Sequence, residues 1–401
     1  MTGLFAVAHI VTKLELGGAQ QNTLFTVSHL AAARFRPILI AGEPGLLDEE
    51  ARSLAGVEFY QIPSLARPIS PWKDFRALFS LTLLLLRLKP SIVHTHSSKA
   101  GILGRVAAKL AGVPVIIHSI HGYGFTPGQP PVLRRILIAM ERWVGRFTTR
   151  FFAVSEANRK LGVELGLFPA ERCSLVRSGI DLDAFRSANV DRGAKKRELG
   201  LSAEQPTIGM VAPMKPQKAP LDFARMAALV GRVRPDAQFL FVGDGELRGA
   251  MEAEVARQGL GRAVHLLGWR RDITEIMRCL DVFVLTSRWE GLPRVYLEAL
   301  ASGVPVVGTN VDGAAEVIAE GVNGYLVEPG DMQAMADRVL SLLADPDVAR
   351  RMGVQGQALP AEFDIRSMVR QQEREYERLL AGLGEKKSLR DAAGYGTPAK
   401  N

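Results

Sequence analysis

Short apolar runs rich in β-branched residues alternate with helix-patterned segments along almost the whole chain, and that alternation leaves few folds open. In the first half the runs are 6–10, 38–41, 57–60, 92–95, 113–119, 151–154 and 174–176. In the second half they are 208–211, 238–242, 264–267, 282–285, 304–308 and 325–327. Continuous apolar runs, without a polar residue at every second place, suit strands covered on both faces. Helical segments between them call for parallel sheets joined by right-handed crossovers. The pattern restarts after a polar stretch, Ser187 to Pro206, holding Asp191, Arg192, Lys195, Lys196 and Arg197. The expected fold is therefore α/β, with two Rossmann-like domains, 1–187 and 188–365, facing each other across a cleft. Residues 366–384, with the charged amphipathic stretch MVRQQEREYERLL, predict a helix returning to the N-terminal domain. Residues 385–401 are polar and small and predict a disordered tail. Sheets of this kind bind ligands at the carboxyl ends of their strands, so the cleft is the expected site.

Charge is unevenly spread. Of 50 Lys+Arg and 42 Asp+Glu, residues 1–190 hold 22 and 13, and segment 60–160 holds 15 and 3. An asymmetry of this size points to an anionic partner for the first half. No nucleic-acid motif accompanies it, so an anionic membrane surface or a diphosphate-linked acceptor is expected rather than nucleic acid. The basic segment 134–150 interleaves Arg134, Arg135, Arg142, Arg146 and Arg150 with Leu137, Ile138 and Trp143, a pattern suited to a bilayer surface. The run Leu78–Leu86 is too short to span a bilayer and predicts a buried crossover helix. The apolar start, 1–10, lacks a basic leader and predicts a first strand rather than a signal peptide. Cys173 and Cys279 stand apart, which excludes a CxxC site and suits a reducing cytoplasm, with the protein peripheral on the inner face of the plasma membrane.

The segment Ser287-Arg-Trp-Glu290-Gly291-Leu292-Pro293-Arg294 follows a strand, and Pro293 fits the first position of a helix carrying Glu298. A helix start offers N–H groups and a positive dipole end to a diphosphate. A carboxylate on either side could each take two vicinal hydroxyls of a sugar. Further segments occur in order: Gly17-Gly18-Ala19-Gln20, His94-Thr95-His96, His121-Gly122, Arg177-Ser-Gly-Ile-Asp181, Lys218, Gly243-Asp-Gly245-Glu246 and Gly321-Val-Asn323-Gly324. Taken together, the Glu290-x7-Glu298 pair and this ordered set resemble the retaining glycosyltransferases of family 4, which have the GT-B fold. The resemblance spans roughly residues 4–384.

That resemblance implies a hexosyltransferase acting with retention on a lipid-linked or envelope glycan acceptor in polysaccharide biosynthesis. It implies a UDP- or GDP-linked sugar as co-substrate and no separate cofactor. Glu290 would hold the donor hexose and Glu298 the ribose. Lys218, with backbone N–H groups around Gly17, Gly18, Gly291 and Leu292, would hold the diphosphate, near Gly243. His121 would meet a sugar hydroxyl. Family members normally carry an arginine five places before the lysine; here Pro213 stands there, and Lys215 or Arg294 is expected to replace its charge in part. No metal is expected: His94 and His96 share a strand face without a third ligand nearby in sequence, and Asp181-Leu-Asp183 reads as a helix cap rather than a metal motif. Gly243-x-Gly245-x-x-x-Gly249 is off the dinucleotide spacing by one. Two rival functions share the architecture, a nucleotide-sugar epimerase and a nucleotide-sugar-binding protein without catalysis.

Overall fold

The computed structural model describes residues 4–126 and 128–394. Each of the thirteen runs expected to form strands overlaps one, and the strands form two separate parallel sheets. The first contains β1 (Phe5–Lys13), β2 (Phe35–Glu43), β3 (Glu58–Gln61), β4 (Ile92–His96), β5 (Val115–Ile120), β6 (Arg150–Ala153) and β7 (Cys173–Leu175), in the order β3-β2-β1-β4-β5-β6-β7. The second contains β8 (Thr207–Val211), β9 (Gln238–Val242), β10 (Val264–Leu266), β11 (Val282–Leu285), β12 (Val306–Thr309) and β13 (Gly324–Val327), in the order β10-β9-β8-β11-β12-β13. Strands β1, β4, β8, β9 and β11 are buried almost throughout because helices cover both sheet faces. In each sheet the winding direction reverses once, between β1 and β4 and between β8 and β11. Crevices at such reversals are where sheets of this class take ligands.

The chain divides into one compact unit of residues up to 154, 159–176 and 366 onward, and a second of 155–158 and 177–365. The division after Val176 replaces the junction expected at 187–206. The reason is local. Arg177 pairs with Glu316, and with Glu362 at 3.2 Å, while Ile180 exchanges backbone bonds with Phe363 and Ile365. The polar stretch that looked like a linker is instead packed. Its helix Arg192–Glu198 is capped by Asp191, and Lys195 bridges Asp272 at 2.7 Å and Glu275 at 2.8 Å.

Two further expectations are corrected. The run Leu78–Leu86 lies on the helix Pro71–Leu88, which buries only Ala77, Leu81 and Leu85; Phe79, Leu83 and Leu86 are exposed. Composition conveyed apolarity but not how wide a face the sheet would cover. The expected tail is helical to Gly394, as one helix Ile365–Gly394. Glu385, Lys386, Lys387, Leu389, Arg390 and Ala392 are good helix formers that continue a helix already nucleated. Residues 395–401 lie outside the described residues.

Candidate active site

In the second unit the candidate residues Lys215, Lys218 and Glu290 lie on the loops that follow β8 and β11, at the reversal of the sheet. After β8 the chain turns through Pro216–Lys218 into the helix Pro220–Val233, with Ala219 left-handed at φ 44°. After β11 it runs from Thr286 to Pro293, which caps the helix Arg294–Ala301 rather than starting it. The two loops are stitched together. Thr286 Oγ1 donates to the carbonyls of Lys218 (2.8 Å) and Ala219 (3.0 Å). Arg288 N donates to Gln217 O at 2.8 Å, and Gln217 Nε2 donates to Trp289 O at 2.9 Å.

This stitching brings Lys218 and Glu290 into direct contact. Lys218 Nζ donates to Glu290 Oε1, and Ser287 Oγ donates to the same oxygen at 2.5 Å. The Glu290 backbone N–H donates to Asp312 Oδ2 at 2.6 Å. Asp312 is left-handed, φ 43°, and burial raises its pKa. Left-handed non-glycine residues cost free energy and gather at functional sites. Sequence reasoning missed Ser287 and Asp312. The first lay inside the quoted motif; the second comes from a loop after β12, with no local signal tying it to Glu290.

Glu298 sits on the helix Arg294–Ala301, 8% exposed, with Arg294 Nη2 at 3.7 Å from its carboxylate. Burial raises the Glu298 pKa, and the Arg294 charge partly offsets this. Burial also lowers the Arg294 pKa. Arg294 is therefore placed to neutralise Glu298. Lys215 precedes the Pro216–Lys218 turn, is half-buried, and its carbonyl accepts from Lys218 N at 3.0 Å. Gly291 O accepts from Gly313 N at 3.3 Å, and Leu292 is buried. Gly243 has φ 132°, and a Cβ there would stand 2.0 Å from Ala212 O. Its first task is thus to let the end of β9 pass against the chain leaving β8.

In the first unit, Gly17 precedes the helix Gly18–His29 with an ordinary φ of −144°, so its backbone does not itself demand glycine. A cavity of about 340 Å³ opens at this unit's own reversal point, lined among others by Thr12, Lys13, Gln20, His96, Ser97 and Lys99. His121 follows β5 and lies 3.1 Å from His96 Nδ1 through its Nε2. The expectation that His94 and His96 lack a third neighbour is overturned. β1 pairs with β4 so that His9 stands beside His94, and one ring nitrogen from each of the three lies within 4.8 Å of the others. Asp181 caps the helix Leu182–Ser187, accepting from Ala184 N at 3.2 Å.

The outer face of the helix Pro71–Leu88 carries Trp72, Phe75, Phe79, Leu83 and Leu86, each 47–70% exposed. Steps of three and four residues place them in one stripe. The helix Pro131–Gly145 exposes Val132, Ile136, Met140 and Trp143 in the same manner. Among the described residues no helix is long and apolar enough to cross a membrane.

Residues 17–179 match the glycosyl transferase 4-like domain, and residues 205–345 match glycosyl transferases group 1. The chain is 34% identical over 342 residues to the UDP-Gal:alpha-D-GlcNAc-diphosphoundecaprenol alpha-1,3-galactosyltransferase of Escherichia coli, covering 84% of this chain and 88% of that protein. This chain belongs to the group 1 glycosyltransferases. It is also similar to the N,N'-diacetylbacillosaminyl-diphospho-undecaprenol alpha-1,3-N-acetylgalactosaminyltransferase of Campylobacter jejuni, 25% identical over 79% of this chain and 84% of that one. The crystal structure of Anabaena HepE with UDP and glucose superposes with a TM-score of 0.80 at 21% identity, over 93% of this chain and all of that one. The likeness is one of fold, and the fold is GT-B. A group 1 glycosyltransferase is an enzyme that transfers sugars.

Proposed function

We propose that this glycosyltransferase moves a hexose-type sugar, with retention of configuration, from a UDP-linked donor to a lipid-linked acceptor bearing a diphosphate. The observation that carries the reading is the contact of Lys218 with Glu290, steadied by Ser287, at the reversal point of the second sheet. On this reading Lys218 supplies the cation to the donor diphosphate, and its present partner Glu290 takes hydroxyls of the transferred sugar. Glu298, neutralised by Arg294, accepts the ribose hydroxyls. His121 meets a sugar hydroxyl. The acceptor hydroxyl attacks the anomeric carbon on the face that the nucleoside diphosphate leaves, and the departing diphosphate oxygen takes its proton. No protein nucleophile is needed, and catalysis comes from placement and charge stabilisation. The E. coli relative, which takes UDP-galactose and a diphosphoundecaprenol acceptor, supports both substrate classes.

The exposed stripe on Pro71–Leu88 supports work at a membrane surface. Lys73, Arg76, Arg87 and Lys89 lie on or beside that helix and suit anionic headgroups, each worth about 1 kcal/mol near such a surface. The deciding assay offers a panel of UDP-sugars with N-acetylhexosaminyl diphosphate polyprenol in detergent micelles. Transfer with an α-linked product is expected. Conversion of a UDP-sugar to its epimer without acceptor would point instead to an epimerase. Donor binding without turnover across all acceptors would point to a binding protein.

A further inference from the structure

The first unit holds a chain of hydrogen-bonded rings, buried up to His121, of which the transfer mechanism uses His121 alone. Parallel pairing sets His9 beside His94, and His96 beside Ser119. The two-residue strand period keeps His94 and His96 on one sheet face. Tyr376, from the helix Ile365–Gly394, is buried against that face. Its phenol oxygen lies 2.5 Å from His94 Nδ1, 3.3 Å from Gln372 Oε1 and 3.5 Å from His9 Nε2. His94 Nε2 meets Ser119 Oγ at 2.7 Å. His9 Nδ1 meets His96 Nε2 at 3.0 Å, and His96 Nδ1 meets His121 Nε2 at 3.1 Å.

We propose that Tyr376, acting through His9 and His96, holds the His121 imidazole in its Nε2-protonated tautomer. A neutral imidazole has one donor and one acceptor nitrogen, so fixing one ring fixes the next. Burial keeps these rings neutral: it lowers His9 to about 3 and His96 well below its ordinary value. The phenol has a single hydrogen. Given to His94, its nearest neighbour, or to Gln372, it leaves the phenol oxygen to accept from His9 Nε2–H. His9 Nδ1 must then accept from His96 Nε2–H, and His96 Nδ1 from His121 Nε2–H. Nδ1 is thereby the acceptor of the His121 ring. Only donation along the longest contact, to His9, would reverse the series. Tyr376 is thus a positioning residue, and its relevance to transfer rests on the role given to His121 above. The same rings could be imagined around a cation. However, both nitrogens of His9, of His94 and of His96 are already engaged within the series, and an ion would take one from each.

The test is a two-bond nitrogen–proton correlation spectrum of full-length protein labelled with 15N in its seven histidines, without substrates. His121 is identified by its loss in His121→Gln. In the wild type we expect His121 with a protonated Nε2 and an unprotonated Nδ1. In Tyr376→Phe both nitrogens should shift toward averaged values, because His9 has lost its acceptor. A wild-type His121 protonated at Nδ1 would overturn the proposal, as would an unchanged His121 pattern in folded Tyr376→Phe. Retention of one equivalent of zinc through chelator dialysis, with shifts at His9, His94 and His96, would overturn it too. Should Tyr376→Phe fail to fold, the wild-type spectrum alone still decides. Because no turnover is involved, an inactive wild type would sink the transferase chemistry and leave the tautomer result standing.

Discussion

Lys218 and Glu290 are each other's partners before any substrate arrives, and this shapes what their removal should do. The side chain of Lys218 is 14% exposed and that of Glu290 7%, so each charge is largely out of water and depends on the other. Lys218→Ala leaves Glu290 without its counter-charge and, under the proposed role, takes the cation from the donor diphosphate. On the transfer reading kcat/KM should fall about 10²- to 10³-fold, as for loss of one preorganised group at a developing charge. Steady-state kinetics on Lys218→Ala, with a circular dichroism check of folding, tests this, and an unchanged kcat/KM would remove Lys218 from the site. Glu298→Gln should act differently. Under the ribose role proposed for Glu298 it would weaken hydrogen bonds to a part of the donor far from the reacting carbon, so KM for the donor should rise about 10-fold or more with kcat nearly kept. A fall in kcat alone would place Glu298 at the reacting sugar instead. Glu290 and Lys218 were legible in the sequence because they sit on short motifs. Their contact was not, since 72 residues separate them and only the β8–β11 pairing brings their loops together.

At the scale of elements, the helix Pro71–Leu88 has two apolar faces, and the sheet uses one. Ala77, Leu81 and Leu85 pack into the core of the first unit, while Trp72, Phe75, Phe79, Leu83 and Leu86 face outward. A fully buried side chain of this kind gains roughly 1.5–3 kcal/mol, so even partial burial of five in a headgroup layer outweighs a modest ordering cost. The triple substitution Trp72→Ser, Phe75→Ser, Phe79→Ser should lower binding to phosphatidylglycerol vesicles at least 10-fold in a flotation assay, and leave binding of soluble UDP-sugar unchanged. Equal flotation of the variant and the wild type would count against a membrane role for this face. The basic helix singled out from sequence, Pro131–Gly145, shares the exposed apolar pattern; Arg134→Glu with Arg135→Glu should make the remaining binding less sensitive to salt.

At the scale of the molecule, four buried histidines make the first unit's stability depend on pH. Burial lowers the pKa of His9 to about 3 and holds His94, His96 and His118 well below the ordinary value of 6.5. Around them lie Tyr376, Ser119, Thr95 and the Arg105 guanidinium, the last of which also disfavours protonation of His118. Between the folded and unfolded values the unfolded chain binds protons that the folded chain refuses. The stability is therefore fully present above pH 6.5 and is lost as pH falls through the window toward the folded values. Each histidine contributes a slope of about 1.4 kcal/mol per pH unit within it. Urea midpoints followed by Tyr and Trp fluorescence should drop steeply from about pH 7 to about pH 5.5, and a flat profile would show that these rings titrate freely. The sequence by itself determined the two-sheet α/β plan, the number of strands and the loops that bear the charged groups. These follow from local apolar runs, breaks and turn chemistry, which act over a few residues. What only the tertiary structure decided was partnership: His9 beside His94, Asp312 beneath Glu290, and one face of Pro71–Leu88 left uncovered. Those depend on which strands pair and how wide each sheet is, and no window of neighbouring residues carries that information.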